Sequence, residues 1–230
     1  MSLDRVTKEH RVESVERALS ILEAFSDRRR NLALSELADE TGLYKSTILR
    51  LASSLERYGY LRRDDASRFR LGPSLWRLGS IYRQDFGLGE HIRPVLRRLV
   101  TATGETASFY VLEMDERLCL YRENSPNSVR HHLEEGSRLS LDRGAAGHVL
   151  RAYGAGSGNA QQLLRPDGGC ISVGERNPDI AAVAAPVHDR DGALHGALAV
   201  SGLRSRFDAE RRTHALELVL EACRELGTVA

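Results

Sequence analysis

The sequence predicts an α+β chain with three parts: an N-terminal winged helix-turn-helix domain, a linker of helices, and a C-terminal domain on a mostly antiparallel sheet. Three observations carry this. Apolar residues recur at helical spacing from Val15 to Tyr58, and Thr41-Gly42-Leu43 forms a tight break between two short segments. Two alternating runs, Leu61–Arg63 and Phe69–Leu71, then flank a polar turn. From Glu105 onward the texture changes to strand hairpins flanked by helices. At 230 residues and 41% hydrophobic, the chain can bury a sizeable core.

Residues 1–13 are densely charged, lack periodicity and read as an arm. Over residues 14–25, Val15, Ala18, Leu19, Leu22 and Phe25 mark the buried stripe of a first helix, with Ser14 as its N-cap. Residues 26–31 read as a basic loop and residues 32–34 as a short strand. Leu34, Leu37 and Ala38 face inward on the second helix, residues 35–41. The third helix gathers Ile48, Leu51, Leu55 and Tyr58 on one face and puts Lys45, Ser46, Arg50, Ser53 and Arg57 on the others. Tyr58-Gly59-Tyr60 ends it, and Asp64-Asp65-Ala66-Ser67 turns the hairpin. The winged module, residues 14–72, closes at Gly72-Pro73, where Pro73 suits the first position of a new helix.

Residues 73–104 read as linker and dimerisation helices. Leu75, Trp76, Leu78, Ile81 and Tyr82 exceed what one amphipathic stripe needs, so this helix is expected to be covered on two sides, as at a dimer contact. Gly87-Leu88-Gly89 interrupts it. A helix over residues 90–103 follows, limited upstream by Pro94 and stopped by Gly104. In the last domain, residues 105–230, strands are expected at 106–113 and 117–122, with a weaker one at 129–133. Residues 144–153 form a helix of small residues, 154–158 a loop and 159–164 a helical turn. Two apolar strands, 180–188 and 193–202, surround Asp189-Arg190-Asp191-Gly192. A final helix, 209–226, buries Ala215, Leu216, Val219, Leu220, Cys223 and Leu226.

A formal net charge of +1 gives no global attraction to a polyanion, so any such signal must be local. Between residues 44 and 70, seven basic side chains stand against three acids, a local +4 suited to phosphate contacts. Cys119, Cys170 and Cys223 lie far apart, without zinc or disulfide spacing. No stretch reads as a signal peptide or a membrane span, which makes a soluble cytoplasmic protein without membrane partners the expectation. Residues 154–158 look superficially like a phosphate loop, but they follow a helix and lack the lysine and serine pair. His131 and His132 with His148, His188 or His195 show no ligand spacing. Asp142, His148 and Ser201 come without a nucleophile elbow. No metal, cofactor or catalytic residue is expected.

Five ordered segments resemble the IclR family of bacterial transcription regulators: VERALSILEAF from Val15, LSELADETGLYKSTILRLASSLERYGYL from Leu34, RFRLGPSLWRLG from Arg68, GSRLSLDRGAAGHVLRA from Gly136 and DIAAVAAPVHDRDGALHGALAVSG from Asp179. The resemblance covers nearly the whole chain from Val12. It implies a winged helix domain that dimerises, a linker helix, and a GAF-like effector-binding domain. It further implies operator DNA, a small organic-acid effector and a second copy of the chain as partners, in a dimer or a dimer of dimers.

Carried onto this sequence, the base-reading positions are Tyr44, Lys45, Ser46, Thr47 and Arg50. Lys45 and Arg50 can donate to phosphates or guanine; Ser46 and Thr47 can bond base edges or backbone. Tyr44 stands where the family often has proline. Arg62, Arg63, Arg68 and Arg70 on the wing can reach phosphates or the minor groove. The effector pocket carries over to Gly144, Ala145 and Ala146, to Ile180 and Ala182, and to Ala199 and Ser201. Small residues leave volume, and the helix N-terminus near Ala145 offers backbone N–H groups to a carboxylate. Equally, Gly144–Gly147 fits close packing of a helix on the sheet. His148 replaces the family's usual lysine, and Ala182 and Ala199 stand where some members have polar residues. That favours a larger, partly apolar ligand such as an aromatic acid. Two other readings stay open: an enzyme domain joined to a DNA-binding module, and a ligand-independent architectural DNA-binding protein.

Overall fold

The structure, a computed structural model, describes residues 11–26, 28–84, 89–130, 133–154 and 158–228. Most of the expected arm, His131 and His132, and most of the 87–89 and 154–158 breaks lie outside these residues. The chain forms two compact units, divided between Tyr82 and Arg83.

The first unit holds α1 (Glu13–Glu23), α2 (Leu34–Thr41), α3 (Lys45–Arg57), the hairpin β1 (Leu61–Arg63) and β2 (Phe69–Leu71), and most of α4 (Pro73–Gln84). Its core is Ile21, Ala24, Leu32, Leu37, Ile48, Ala52, Leu61 and Phe69. The sequence placed four details differently. The N-cap of α1 lies two residues earlier, at Val12 rather than Ser14, with no side-chain cap bond. Glu13 and Glu16 instead set negative charge against the positive end of the helix dipole. Val15 and Leu19, expected inside, are 53% and 54% exposed. α1 carries two apolar faces, and Ile21 and Ala24 lie on the one that meets α2 and α3. Tyr58, expected on the inner face of α3, caps the helix end at 70% exposure. The expected strand at 32–34 shrinks to one bridge, Leu32 with Phe69.

Glycines set the joints of this unit. Gly42, at φ +67°, ends α2 and donates to Ala38 O at 2.9 Å. Gly59, at φ +75°, closes α3 in a Schellman motif: Tyr60 N–H reaches Leu55 O at 2.8 Å and Gly59 N–H reaches Glu56 O at 3.0 Å. Gly72 passes so close that a Cβ there would sit 2.1 Å from Gly59 O. Gly72→Ala is therefore expected to destabilise the winged module by roughly 2 kcal/mol or more, through a backbone clash. A urea melt that left G72A within error of the parent would sink this.

In the second unit, α5 (Gly89–Thr103) precedes a six-stranded antiparallel sheet of order β5-β4-β3-β8-β7-β6. Its strands are β3 (Thr106–Glu113), β4 (Glu116–Glu123), β5 (Arg138–Ser140), β6 (Cys170–Val173), β7 (Ile180–His188) and β8 (Leu194–Leu203). α6 (Ala145–Tyr153) and α7 (Ala209–Gly227) complete it, with a short 3₁₀ segment at Gly158–Leu163. Helices cover both sheet faces. On one, α5 and α7 pack Ile92, Leu96, Leu99, Leu216 and Val219 against Phe109, Val183 and Leu198. On the other, α6 packs Val149 and Leu150 against Tyr110, Cys119, Ala184, Ala197 and Ala199. Residues 181, 183, 185 and 187 of β7 serve the first face and residue 184 the second, with Ala182 half-buried beside it. Burial on both sides explains why this strand reads as a continuous apolar run.

Three expectations shift here. Residues 129, 130 and 133 form no strand, whereas the three-residue β5 pairs with β4 and β6 pairs with β7. α5, assigned to the linker from sequence, buries one face in the core of the sheet unit. Pro94 lies inside it, in the second turn, and Gly104 ends it at φ +71°.

Candidate DNA interface and effector cavity

α3 begins at Tyr44, whose side chain is 84% exposed. No side chain caps this helix and no acid occupies its first turn. Its first amides are thus left open and the positive end of its dipole is not neutralised, a geometry that favours an anion. Lys45, Ser46 and Arg50 are exposed and Thr47 is half-buried.

The structure divides the four wing arginines into two pairs. Arg63 bonds Glu56 of α3 at 2.9 Å and stacks 4.5 Å from the Phe69 ring centroid. Arg68 bonds Glu36 of α2 at 2.7 Å and Asn31 O at 2.9 Å. Glu36 also accepts the Ala33 N–H at 2.7 Å, so one carboxylate secures both the start of α2 and the wing. These two arginines fasten the hairpin to the helices. Arg62 and Arg70 are exposed and stand directly opposite each other across the hairpin. Like charges in register destabilise a hairpin unless an anion lies over them.

The second unit contains a cavity between the start of α6 and the ends of β7 and β8. Gly144, Ala145, Ala146, Ile180, Ala182, Ala199 and Ser201, the seven positions named from sequence, all line it. Tyr110, Arg117, Leu139, Ser172 and Glu175 complete most of the wall. The enclosed cavity is small, about 50 Å³, and opens into a recess of about 510 Å³ that includes solvent. Tyr110, Leu139, Ile180, Ala182 and Ala199 make one side apolar.

Sequence reasoning missed the charged side. Arg117, on β4, is 4% exposed. Its Nη1 reaches Gly144 O at a long 3.4 Å, its guanidinium lies 5.5 Å from the Tyr110 ring centroid, and its Nε has no partner. Burial pulls its pKa below the ordinary arginine value. Glycine makes room for it: a Cβ on Gly147 would sit 2.8 Å from Nη1 and 2.7 Å from Leu141 O. The signal was present in strand parity, because Arg117 alternates with Cys119 and so faces the α6 side.

The α6 N-terminus also differs from expectation. Its amides are not open to a ligand carboxylate at the first two positions. Glu175 Oε2 accepts the Gly144 N–H at 2.7 Å and lies 2.6 Å from His148 Nε2, and Ser172 Oγ accepts the Ala145 N–H at 2.9 Å. His148, 5% exposed, takes the place of the family's lysine with a carboxylate partner of its own.

The three cysteines are buried, and burial pushes the Cys119 and Cys170 thiols up to about 12. Among the described residues no cluster of His, Cys, Asp and Glu could hold a metal, and no helix is long and apolar enough to cross a membrane.

Two family models match the chain in order. The IclR helix-turn-helix domain matches residues 14–65, and the bacterial transcriptional regulator IclR C-terminal domain matches residues 82–164 and 159–228. The chain belongs to the IclR family. Members are DNA-binding transcriptional regulators and not enzymes. This IclR-family chain is 28% identical to the HTH-type transcriptional regulator BhcR of Paracoccus denitrificans, over 94% of this chain and 86% of that protein. It is also 28% identical to the glycerol operon regulatory protein of Streptomyces coelicolor, over 94% and 95%. An IclR homologue from Microbacterium hydrocarbonoxydans, solved in complex with 4-hydroxybenzoate, shares the fold at a TM-score of 0.75 and 20% identity, over 94% of this chain and 98% of that one.

Proposed function

We propose that this IclR-family regulator is ligand-responsive and controls a catabolic operon. Its winged helices read operator DNA as a homodimer, and the α6 cavity takes a small organic acid with an apolar body, such as an aromatic acid. One observation carries the effector reading. Residues from seven separate elements converge on one cavity that pairs an apolar wall with a buried guanidinium that forms no ion pair among the described residues and whose Nε has no hydrogen-bond partner. An apolar recess with a few convergent polar groups is the usual form of a small-molecule site. In the DNA module, the open N-terminus of α3 and the exposed Arg62 and Arg70 support phosphate contact by Lys45, Arg50 and the wing, with Tyr44, Ser46 and Thr47 against the groove. Self-association is supported by exposed apolar side chains on α1 and α4: Val15, Leu19, Trp76, Leu78, Ile81 and Tyr82. The operon reading is supported by the relatives, one of which is named for the glycerol operon.

The test is fluorescence anisotropy with DNA flanking the chain's own gene, titrated with and without a panel of organic acids, beside sedimentation equilibrium of the free protein. The expected result is a dimer whose operator affinity shifts roughly fivefold or more with one acid, the usual scale of allosteric coupling. Identical operator affinity with every acid that binds would remove ligand responsiveness, and a monomer at all concentrations would remove the dimer.

A further inference from the structure

We infer that Arg117 captures the effector's carboxylate, and that Glu175 holds the α6 N-terminus against a second one, so that the cavity selects monocarboxylates. This rests on the reading of the cavity as the effector site.

Two places in the cavity are suited to an anion, and they are in opposite states. At the α6 N-terminus the protein supplies its own acceptors. The Glu175 carboxylate, from the loop after β6, and the Ser172 hydroxyl take the first two amides, and His148 holds Glu175 from beneath. A ligand carboxylate there would have to displace Glu175 and would meet its negative charge. At Arg117 the reverse holds. The guanidinium is almost fully buried, yet its one hydrogen bond is a long contact to a carbonyl, and its Nε is unpaired. Glu175 acts on it only at a distance and forms no ion pair with it among the described residues, so a carboxylate that meets it gains a charge-assisted bond. Arg176 also lines the cavity and is exposed, and its like charge acts on Arg117, which sharpens the need for an anion there. Gly147 admits the guanidinium, and Tyr110, Leu139 and Ile180 border the space in front of it. An acid with a single carboxylate and an apolar body satisfies both walls.

The test is calorimetry on the full chain with three probes: benzoate, its neutral isostere benzamide, and phthalate, which carries a second carboxylate on the adjacent ring carbon. Wild type is expected to bind benzoate at least about tenfold more tightly than benzamide or phthalate, the scale of one charged hydrogen bond. Arg117→Gln is expected to lose that preference over benzamide, and Arg117→Lys to recover part of it. Glu175→Gln is expected to narrow the gap between benzoate and phthalate. Equal binding of benzoate and benzamide to wild type, or no binding of benzoate at millimolar concentration, overturns the anchor even if Arg117→Gln fails to fold. An unchanged phthalate gap in E175Q overturns the selectivity. The regulatory reading fails separately: benzoate that binds through Arg117 yet leaves operator affinity unchanged defeats regulation and leaves this assignment standing.

Discussion

Replacing Arg62 and Arg70 together by alanine is expected to weaken duplex DNA binding roughly tenfold or more and to reduce the slope of log affinity against log salt by about two per subunit. The expectation follows from how the wing divides its arginines. Arg63 and Arg68 are held by Glu56 and Glu36, so their charge is already answered inside the module. Arg62 and Arg70 face each other in register with no carboxylate partner among the described residues, and the arrangement becomes favourable when a phosphate lies over both. Counterion release needs no particular sequence, so any duplex serves as the probe. The companion variant R63A/R68A should keep nearly the parental salt slope. Its cost is wing stability, up to about 1 kcal/mol for each surface pair. A salt slope in R62A/R70A equal to that of the parent would place the wing away from DNA.

Cutting Arg206 back to alanine is expected to destabilise the sheet unit by about 3 kcal/mol or more. Arg206 grips Glu105 with two bonds, Nε to Oε1 at 2.6 Å and Nη2 to Oε2 at 2.9 Å, and its Nη1 reaches Val129 O at 2.9 Å. Glu105 is 3% exposed. Removing the arginine leaves a buried carboxylate with no counter-charge, which costs far more than the pair itself contributes. The close fit shows at Gly202 too, where a Cβ would sit 2.5 Å from the carboxylate. Replacing both partners, Glu105→Leu with Arg206→Met, should recover much of the loss. Urea denaturation of the three proteins decides this: an R206A midpoint within error of the parent would show that water already reaches Glu105.

The parts visible in the sequence were those fixed by local rules. Gly42 and Gly59 mark helix ends because each needs a positive φ, and 106–113 and 180–188 read as strands because alternate residues meet different layers. The parts hidden were those fixed by partners. β5 has three residues, two of them exposed, and is held by its ladder to β4 rather than by its own composition. Val15 and Leu19 mark one apolar face of α1 and Ile21 and Ala24 another, and sequence alone does not tell which face is covered. The seven cavity positions came from resemblance and small size, whereas Arg117 and Glu175 stayed unseen. An arginine at a strand end and a glutamate in a loop are ordinarily solvated, and only the approach of α6 gives them another setting.

β3 is a wall common to two compartments. Ala107, Phe109 and Val111 press toward α5 and α7, while Tyr110 looks into the cavity. α5 lies on the side away from the cavity. A displacement of Tyr110 by an occupant of the cavity would therefore carry Phe109 and Val111, its neighbours on the same strand, against the helices on the other side.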